Sequence, residues 1–297
     1  MSVLVVGEAL VDVVRRADGS VVEHPGGSPA NVALTLGRLG RAPRLLTSFG
    51  DDPYGSAVRG WLEESGVDVL VVPSERTSTA QATLDETGAA TYVFDLSWDL
   101  GDVEVQPAEL LHIGSISAVL DPGGRQVAEL VERVRPTTTI TYDPNARPAI
   151  MGDRAAAYAR VLELVALADV VKVSDEDLAW FEPERGVDDV AQAWLDLGPA
   201  VVVVTRGGDG ASVVRPGGTS WVAAPKVDVV DTVGAGDTFM GALVDGLVGA
   251  GVAGDREALR ALDDDTLRTI LERCARAAAI TVSRSGANPP WADELSD

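Results

Sequence analysis

The sequence predicts an α/β protein in which a mostly parallel β-sheet has helices packed on both faces. The prediction rests on apolar, β-branched runs that alternate with amphipathic segments. The predicted strands are residues 3–7, 42–50, 109–114, 138–145, 169–174 and 200–208. The predicted helices are residues 29–39, 53–65, 122–134, 153–167, 187–197 and 256–280. Continuous Val, Ile and Leu runs are typical of strands buried on both faces, and intervening helices are the usual connections of a parallel sheet.

Two segments depart from this alternation and predict β-hairpins. "DVVRRADGSVVEH" (residues 12–24) places Asp18-Gly19 at the turn between two alternating runs, a strong hairpin pattern. "STAQATLDETGAATYVFDLSW" (residues 78–98) repeats the alternation on either side of "ETG". We therefore expect a small second sheet, formed by insertions at about residues 12–25 and 74–101 of a single domain spanning residues 1–297.

Composition excludes several classes of function. The 297 residues are 46% hydrophobic, and 46 acidic against 24 basic residues give a net charge of −22. Nucleic acid and anionic membranes select basic surfaces, so neither is expected as a partner. Cys274 is the single cysteine, which excludes an internal disulfide, and two histidines make a His-rich metal centre or a Ser-His-Asp triad a poor prediction.

The N-terminal run "MSVLVVGEALVDVV" has no basic start and no cleavage pattern, and it is typical of a strand. No apolar run reaches the length of a membrane span. These patterns predict a soluble, cytoplasmic protein. An anionic ligand of so acidic a chain needs local positive potential, which helix N-termini and backbone N–H groups supply.

The stretch "DTVGAGDTFMGALVDGL" (residues 231–247) predicts a helix that begins at Gly234, Ala235 and Gly236. Small residues let backbone N–H groups approach a ligand, and the helix dipole favours an anion, as phosphoryl transfer requires. Asp237 then lies in the first turn, where a carboxylate is suited to act as a general base. The alternative is that Asp237 only complements the helix dipole, an effect of about 0.3–1 kcal/mol.

A second glycine-rich stretch, "GGSPANVALTLGRLG", covers residues 26–40. Ser28 is a favourable N-cap, Pro29 a favourable first helical residue and Gly40 a natural end of the helix. Gly26-Gly27 and the polar Asn31 are suited to a site where a polyol approaches the backbone. The alternative for these residues is a flexible turn followed by an exposed asparagine.

Together the two stretches resemble the GG-x-x-x-N and D-T-x-G-A-G-D motifs of the PfkB (ribokinase-like) carbohydrate kinases. The resemblance continues, in the family's order, from "GEALVD" (residues 7–12) to "SRSGANPPW" (residues 283–291). It implies a ribokinase-like fold: a three-layer α/β/α arrangement on a mostly parallel sheet, with a small β-sheet lid. It also implies an ATP-dependent kinase that phosphorylates a sugar hydroxyl.

The resemblance assigns a role to each matching position. Asp237 matches the catalytic base, and Gly234, Ala235 and Gly236 match the anion hole. The positions that match sugar contacts are Asp12, Gly27 and Asn31. In "TRGGDG" (residues 205–210) the positions that match the nucleotide loop are Thr205, Gly207 and Gly210, although a tight turn between two strands accounts for the same glycines.

Metal ions enter through the same resemblance. Many relatives bind a monovalent cation such as K⁺, largely through backbone carbonyls, and the matching positions are Asp231, Val233, Thr281 and Gly286. Many also carry an N-x-x-E motif that organises Mg²⁺ and its waters. This chain departs from that motif, since Ser174 and Asp177 stand at the matching positions. A serine N-cap with an acid three residues later also fits a capping box, so both interpretations of Asp177 stay open.

The stretch "YDPNARPAI" (residues 142–150) follows a predicted parallel strand, where open α/β sheets bind ligands. Asn145 offers hydrogen bonds to hydroxyls and Arg147 a fixed cation, although Asp-Pro-Asn is also a good turn. The D-P-N-x-R pattern resembles family branches that act on fructose, and "GEALVD" with "RSGANPP" resembles bacterial fructokinases. An acidic sugar such as 2-keto-3-deoxygluconate needs a further cation in its pocket. Because the predicted lid segment, residues 78–98, contains neither Lys nor Arg, the sequence favours a neutral sugar.

The sequence therefore predicts an ATP-dependent sugar kinase, with fructose as the favoured substrate, ATP and Mg²⁺ as cofactors and K⁺ as a further ion. Phosphorylation of 2-keto-3-deoxygluconate, ribose or a nucleoside stays open, as does a catalytically silent sensor of sugar or nucleotide. Because hairpin strands leave edges exposed, we also expect a homodimer that pairs through the lid.

Overall fold

The computed structural model describes residues 1–84 and 90–295. Its helices are Ser28–Arg38 (α1), Pro53–Glu63 (α2), Gly123–Val134 (α3), Pro148–Met151 (α4), Arg154–Leu167 (α5), Asp175–Phe181 (α6), Val187–Leu195 (α7), Ala235–Gly249 (α8), Arg256–Arg260 (α9) and Asp264–Val282 (α10). Its strands are Val3–Val6 (β1), Leu10–Arg15 (β2), Val21–Gly26 (β3), Arg44–Gly50 (β4), Asp68–Ser74 (β5), Thr79–Leu84 (β6), Ala90–Asp95 (β7), Leu110–Gly114 (β8), Thr139–Asp143 (β9), Val170–Ser174 (β10), Val201–Thr205 (β11), Ala211–Arg215 (β12) and Gly218–Val222 (β13).

Within these residues, nine strands form the main sheet in the order β13-β12-β11-β10-β9-β8-β1-β4-β5. The pairs from β5 through β11 are parallel, and β12 and β13 add an antiparallel edge. The carboxyl ends of the parallel strands therefore meet along one edge of the sheet, the usual ligand-binding edge of this architecture.

The alternation of side chains along β1 divides the core into two layers. Val3 and Val5 pack with helices α1, α2, α8 and α10 on one face, whereas Leu4 and Val6 pack with α3, α5, α6 and α7 on the other. The predicted three-layer α/β/α fold is thus confirmed. In the part of the chain that the structure describes, no helix is both long and apolar enough to cross a membrane.

A separate four-stranded sheet has the order β3-β2-β6-β7. The predicted hairpins supply its antiparallel pairs β2–β3 and β6–β7, and a parallel pairing of β2 with β6 joins them. The predicted "ETG" turn of the second hairpin lies outside the described residues. This small sheet, hereafter the lid sheet, contacts the main body where Tyr54 Oη donates to Glu23 Oε1 at 2.8 Å.

The structure also corrects the sequence prediction in places. Strands β5 and β13 and helix α4 were not predicted, and α6 was anticipated only by the interpretation of Ser174 as an N-cap. The helix expected over residues 256–280 is two helices, α9 and α10. The break has a local cause, because Asp263 Oδ1 accepts the Thr266 N–H at 2.8 Å and starts α10 anew. Gly40 follows α1 with φ 82°, as predicted for a residue that ends a helix.

Candidate active site

The second motif of the sequence forms the glycine-led N-terminus of α8. Gly234 is the N-cap residue and has φ 76°, a left-handed conformation that favours glycine. A β-carbon on Gly234 would lie 2.6 Å from Ala287 Cβ, and one on Gly236 would lie 3.0 Å from Lys172 Nζ. Close packing therefore requires these small residues. The N–H groups of a first helical turn have no intrahelical acceptors, so this end of α8 is suited to an anion.

Asp237 lies in the first turn of α8 and is held by two side chains of α1. Its side chain is buried, and Ser28 Oγ donates to Oδ1 at 2.6 Å while Asn31 Nδ2 donates to Oδ2 at 2.7 Å. One donor on each oxygen fixes the plane of the carboxylate. Each oxygen of an ionised carboxylate has two acceptor positions, so both retain the capacity to accept a further proton or hydrogen bond.

The predicted start of α1 is wrong by one residue. Gly27, not Ser28, occupies the N-cap position, with φ 107° and ψ 130°. A β-carbon on Gly27 would lie 2.5 Å from the backbone oxygen of Glu8, so this position also needs glycine. Ser28 is the first helical residue, Pro29 is the second, and the Ser28 hydroxyl donates to Asp237 instead of capping its own helix.

Helices α1 and α8 approach each other closely at a second glycine. A β-carbon on Gly241 would lie 2.6 Å from Thr35 Cβ, and Thr35 is fully buried. The Thr35 hydroxyl donates to the Asn31 backbone oxygen at 2.8 Å, which satisfies it within α1. This close helix pair brings Ser28 and Asn31 within hydrogen-bonding distance of Asp237.

A buried ion pair lies beside the glycine turn. Lys172 Nζ on β10 donates to Asp143 Oδ2 at the end of β9 at 2.7 Å, and the residues are 3% and 0% exposed. Burial raises the pKa of Asp143 to about 6, against the opposing effect of Lys172. Burial lowers the pKa of Lys172, but Asp143, Asp237 and Asp177 outweigh it and the net direction is upward. Each partner thus favours the ionised form of the other, against the effect of burial.

Asp177 joins this region from the start of α6. Ser174 Oγ accepts the Asp177 N–H at 3.0 Å, so Ser174 is an N-cap. The Asp177 carboxylate Oδ1 accepts the Ala146 N–H at 3.1 Å, which ties α6 to the loop after β9. The capping interpretation thus describes Ser174, and the Asp177 carboxylate has a partner outside its helix.

The loop after β9 carries Asn145 and Arg147, two of the five predicted sugar-binding residues. Arg147 Nη1 donates to Asn145 Oδ1 at 2.8 Å and to the Ala146 backbone oxygen at 2.9 Å. Asn145 has φ 40°, and its Nδ2 is buried without a hydrogen-bond partner among the described residues. Strain and an unsatisfied donor at a strand end are typical of a ligand site.

Asp12 lies on β2 of the lid sheet, opposite His24 of β3. Burial raises the pKa of Asp12, and the positive charges of His24 and Arg147 act in the opposite direction. A β-carbon on Gly26 would lie 2.5 Å from Asp12 Oδ2. The lid carboxylate and the Arg147 loop are therefore close enough to interact electrostatically.

The predicted nucleotide loop is a turn between β11 and β12. Gly210 has φ 116°, and a β-carbon there would lie 2.1 Å from the Val222 backbone oxygen. Thr205 Oγ1 donates to the Val173 backbone oxygen at 3.4 Å, and Gly207 is exposed with φ 50°. Close packing of the backbone explains why residue 210 is a glycine. Gly207, by contrast, is exposed, so the turn is accessible to a ligand.

Of the four predicted cation-site residues, Asp231 and Val233 lie on the loop before α8, Thr281 is in the last turn of α10 and Gly286 is on the loop after α10. The Asp231 carboxylate accepts the Val233 N–H at 3.0 Å and the Gly286 N–H at 2.9 Å, and these backbone bonds lower its pKa. The Thr281 hydroxyl donates to Thr238 Oγ1 at 2.9 Å. The Asp231 carboxylate thus holds the loop of Val233 against the loop of Gly286. Across the described residues there is no group of three or more His, Cys, Asp and Glu side chains that could hold a metal ion.

A largely apolar cavity of about 390 Å³ lies beside these loops. Its lining residues are the apolar Pro225, Val227, Ala279, Ile280 and Leu295 together with Ser283, Arg276 and Glu294. The Val230 and Asp231 N–H groups both donate to the Val282 backbone oxygen, which attaches the segment before the glycine turn to the end of α10. The cavity thus lies against the end of α10 that holds the segment leading to α8.

Comparison with known proteins decides the family. The sequence matches the pfkB family carbohydrate kinase over residues 1–294. The chain belongs to the pfkB family. It is thus a carbohydrate kinase, a phosphotransferase with an alcohol group as acceptor, and the predicted family and enzyme class are confirmed.

Individual pfkB relatives agree with this assignment. A fructokinase of Rhizobium leguminosarum bv. trifolii is 35% identical over 286 residues, which cover 90% of this chain and 85% of that protein. A double mutant of the Vibrio cholerae O395 fructokinase, solved with fructose, ADP and a potassium ion, is 29% identical with a TM-score of 0.82, covering 97% of this chain and 94% of that one. Aminoimidazole riboside kinase of Salmonella enterica, solved with aminoimidazole riboside and an ATP analogue, is 27% identical with a TM-score of 0.83, covering 99% and 98%.

The pfkB site contains a buried carboxyl group that the sequence did not single out. Glu8, in "GEALVD", is buried after β1, and its Oε2 accepts the Ser117 N–H at 3.1 Å. Burial raises the pKa of Glu8 to about 7, against hydrogen bonds from Ser115 and Ser117. Ser115 has φ 58°, so Glu8 also supports a strained residue at the end of β8.

Glu8 predicts a pH-dependent stability. Between its unfolded value of 4.5 and about 7, the folded protein retains a proton that the unfolded chain has lost. The free energy of unfolding therefore falls as the pH rises through this window, by about 3 kcal/mol from this one group. Glu8→Gln removes the contribution. Urea unfolding of both proteins at about pH 4.5 and about pH 8 measures it as a double difference. Parallel pH curves for the two proteins would contradict it.

Proposed function

We propose that this carbohydrate kinase is a fructokinase that transfers the γ-phosphoryl group of ATP to a primary hydroxyl of fructose. The observation that carries the proposal is the position of Asp237, whose carboxylate is fixed by Ser28 and Asn31 beside the glycine-led N-terminus of α8. The curated relatives named fructokinase, at 30–35% identity, support the choice of substrate.

In this proposal Asp237 accepts the proton of the attacking hydroxyl. Ser28 and Asn31 hold the carboxylate in one orientation, and its remaining acceptor positions are available to the sugar. The N–H groups of the Gly234–Gly236 turn bind the oxygens of the transferred phosphoryl group, where negative charge must be stabilised. Base and anion site belong to one helical turn, so their separation is set by α8 itself.

Sugar binding is assigned to Asp12, Gly27, Asn31, Asn145 and Arg147. Two buried polar atoms of this set, Asn31 Oδ1 and Asn145 Nδ2, have no hydrogen-bond partner among the described residues. An acceptor and a donor at the same edge of the sheet fit the hydroxyl groups of a neutral sugar.

The nucleotide is assigned to the turn with Thr205, Gly207 and Gly210 and to the cavity beside α10. That cavity, about 390 Å³ and largely apolar, is suited to a purine base. The bonds of Val230 and Asp231 to the Val282 backbone oxygen hold the segment before the glycine turn against the end of α10, which supports this assignment.

The residues present fit a magnesium ion that arrives with the nucleotide. Mg²⁺ retains several waters and uses few protein carboxylates when phosphates are its ligands. Asp177, tied by Oδ1 to Ala146 near the strand ends, would orient such waters. When bound, the ion neutralises charge on the phosphates. The hydrogen bonds of Asp231 to Val233 and Gly286 support a K⁺ site of backbone carbonyls between these two loops and the last turn of α10, which holds Thr281.

We also propose that residues 1–297 form a single kinase domain. Two copies of this domain form a homodimer through their lid sheets. Strand β7 lies at one edge of that sheet, and Tyr92 and Val93 on it are each 59% exposed. Exposed edges of this kind pair readily with a second copy. We expect a dimeric mass in sedimentation equilibrium and a monomeric mass for Val93→Lys. A wild-type monomer at micromolar concentration would contradict the dimer and leave the kinase proposal standing.

A coupled ADP-release assay with MgATP and K⁺ tests the function. The panel is fructose, ribose, 2-keto-3-deoxygluconate and aminoimidazole riboside. We expect the highest kcat/KM on fructose. A higher value on another member would replace the substrate and retain the chemistry. No turnover on any of the four compounds, together with a rise of the melting temperature on adding fructose, would favour a sugar sensor over a kinase of these compounds.

A further inference from the structure

The chain contains only two lysines, Lys172 and Lys226, among its 24 basic residues. Lys172 is 3% exposed in the middle of the main sheet. Lysine is almost never so deeply buried without a strong reason, because transfer of an ammonium group out of water is very unfavourable. The position of this charge in a protein of net charge −22 therefore needs an explanation.

The side chain of Lys172 points towards the glycine turn of α8. On β10, Val171 and Val173 pack into the layer of α3 and α5, so Lys172 lies on the opposite face, the face of α1 and α8. There its Nζ is 3.0 Å from the point where a β-carbon on Gly236 would stand. The ammonium thus lies directly behind the proposed anion hole.

Four titratable groups surround this ammonium. Asp143 on β9 accepts its hydrogen bond at 2.7 Å, and Asp177 on α6 and Asp237 on α8 act on it through space. The fourth is His112 on β8, whose Nδ1 pairs with Thr141 Oγ1 and whose buried ring is neutral. Lys172 thus carries a positive charge that acts on the proposed base, Asp237, and on the neighbouring carboxylates of Asp143 and Asp177.

We propose that Lys172 is a positioning residue of phosphoryl transfer, held by Asp143 so that its charge acts on Asp237 and on the phosphoryl group at the glycine turn. The inference rests on the proposed roles of Asp237 and of that turn. A fixed charge in a site of low dielectric constant stabilises charge that develops in the transition state. It also adds to the positive potential that the N-terminus of α8 offers an anionic ligand in a strongly acidic chain.

The competing explanation is a purely structural ion pair. Removing one partner of a buried pair destabilises a protein strongly, whereas replacing both by neutral groups of similar size is often tolerated. The test therefore compares Lys172→Met, Asp143→Asn and the double variant Lys172→Met/Asp143→Asn. The double variant removes the charge of Lys172 without leaving a buried carboxylate unpaired.

We expect the double variant to recover most of the melting temperature lost in Lys172→Met, but to keep a kcat about 10²-fold below wild type. Its KM for ATP is expected to change by less than about 5-fold, because the charge acts mainly on the transition state. Asp143→Asn retains the ammonium and is expected to keep at least about 10-fold more kcat than the double variant. If the first double variant stays unstable, Lys172→Met/Asp143→Leu fills the same space with apolar atoms.

Wild-type kcat in a stable double variant would overturn the inference, as would equal losses in Asp143→Asn and the double variant. The assay uses the sugar of highest turnover and MgATP, with Asp237→Asn as the reference. A fully active Asp237→Asn would contradict the proposed site itself. An inactive Asp237→Asn beside a fully active double variant would contradict only the role of Lys172.

Discussion

Asp237→Asn is expected to lower kcat by about 10³-fold while the protein still folds and binds its substrates. The amide of asparagine cannot accept the hydroxyl proton as a carboxylate does, so the general base is lost. The anion site of Gly234–Gly236 is backbone and is not altered by the substitution. The residual rate therefore measures what positioning and the backbone N–H groups contribute without a base.

The fold is expected to tolerate this substitution because of Asn31. At present Asn31 Nδ2 donates to Asp237 Oδ2, and Asn31 Oδ1 is buried without a partner among the described residues. A rotation of the Asn31 amide presents Oδ1 to the new NH₂ group, and Ser28 Oγ still donates to the remaining oxygen. The new NH₂ group then faces an acceptor, and the remaining oxygen still faces a donor.

Three measurements check this result: the sugar-dependent rate of ADP release, the melting temperature, and its increase on adding fructose or MgADP. We expect the rate alone to collapse. A variant that keeps more than about a tenth of wild-type kcat would assign the proton transfer to another group. A variant that also loses the increases with both ligands would indicate a distorted site and not a missing base.

The glycine turn could be predicted from the sequence because its physical cause is local. Gly234, Ala235, Gly236 and Asp237 are consecutive, and a helix start with small residues has one obvious chemical use. The alternation of strands and helices was likewise local, and it predicted the layered fold. Asp237 and Asn31 were assigned to separate roles, however, and their hydrogen bond joins helices about two hundred residues apart in the chain.

The features that the sequence did not predict depend on packing between helices and strands. Lys172 is one residue in the apolar run "DVVKVS", and nothing in that run indicates that it faces α8. Ser28 followed every rule of a helix N-cap, but the contact of Gly27 with Glu8 starts α1 one residue earlier and directs the Ser28 hydroxyl to Asp237. Strand β5 has a regular "VDVLVV" pattern but was left unassigned between the helix predicted over residues 53–65 and the lid insertion predicted from about residue 74.

Gly27→Ala is expected to lower kcat/KM by about 10²-fold, and Gly40→Ala, at the other end of α1, to leave it nearly unchanged. Both glycines have positive φ, 107° and 82°, so an alanine strains the backbone at either position, and more at Gly27, whose ψ of 130° lies outside the left-handed helical region. They differ in surroundings. A β-carbon on Gly27 would lie 2.5 Å from the Glu8 backbone oxygen, whereas one on Gly40 meets no atom within 4 Å.

The Gly40→Ala variant controls for the loss of stability that a strained alanine causes at an end of α1. Relief of the contact with Glu8 must move the N-terminus of α1, which carries the donors that hold Asp237 at 2.6 and 2.7 Å. A displacement of about 1 Å in such an arrangement is enough to cost about two orders of magnitude in rate. The two kcat/KM values are compared below the melting temperature of the less stable variant. Equal losses at both positions would mean that strain alone limits activity, and that the Ser28 and Asn31 contacts do not set the orientation of the base.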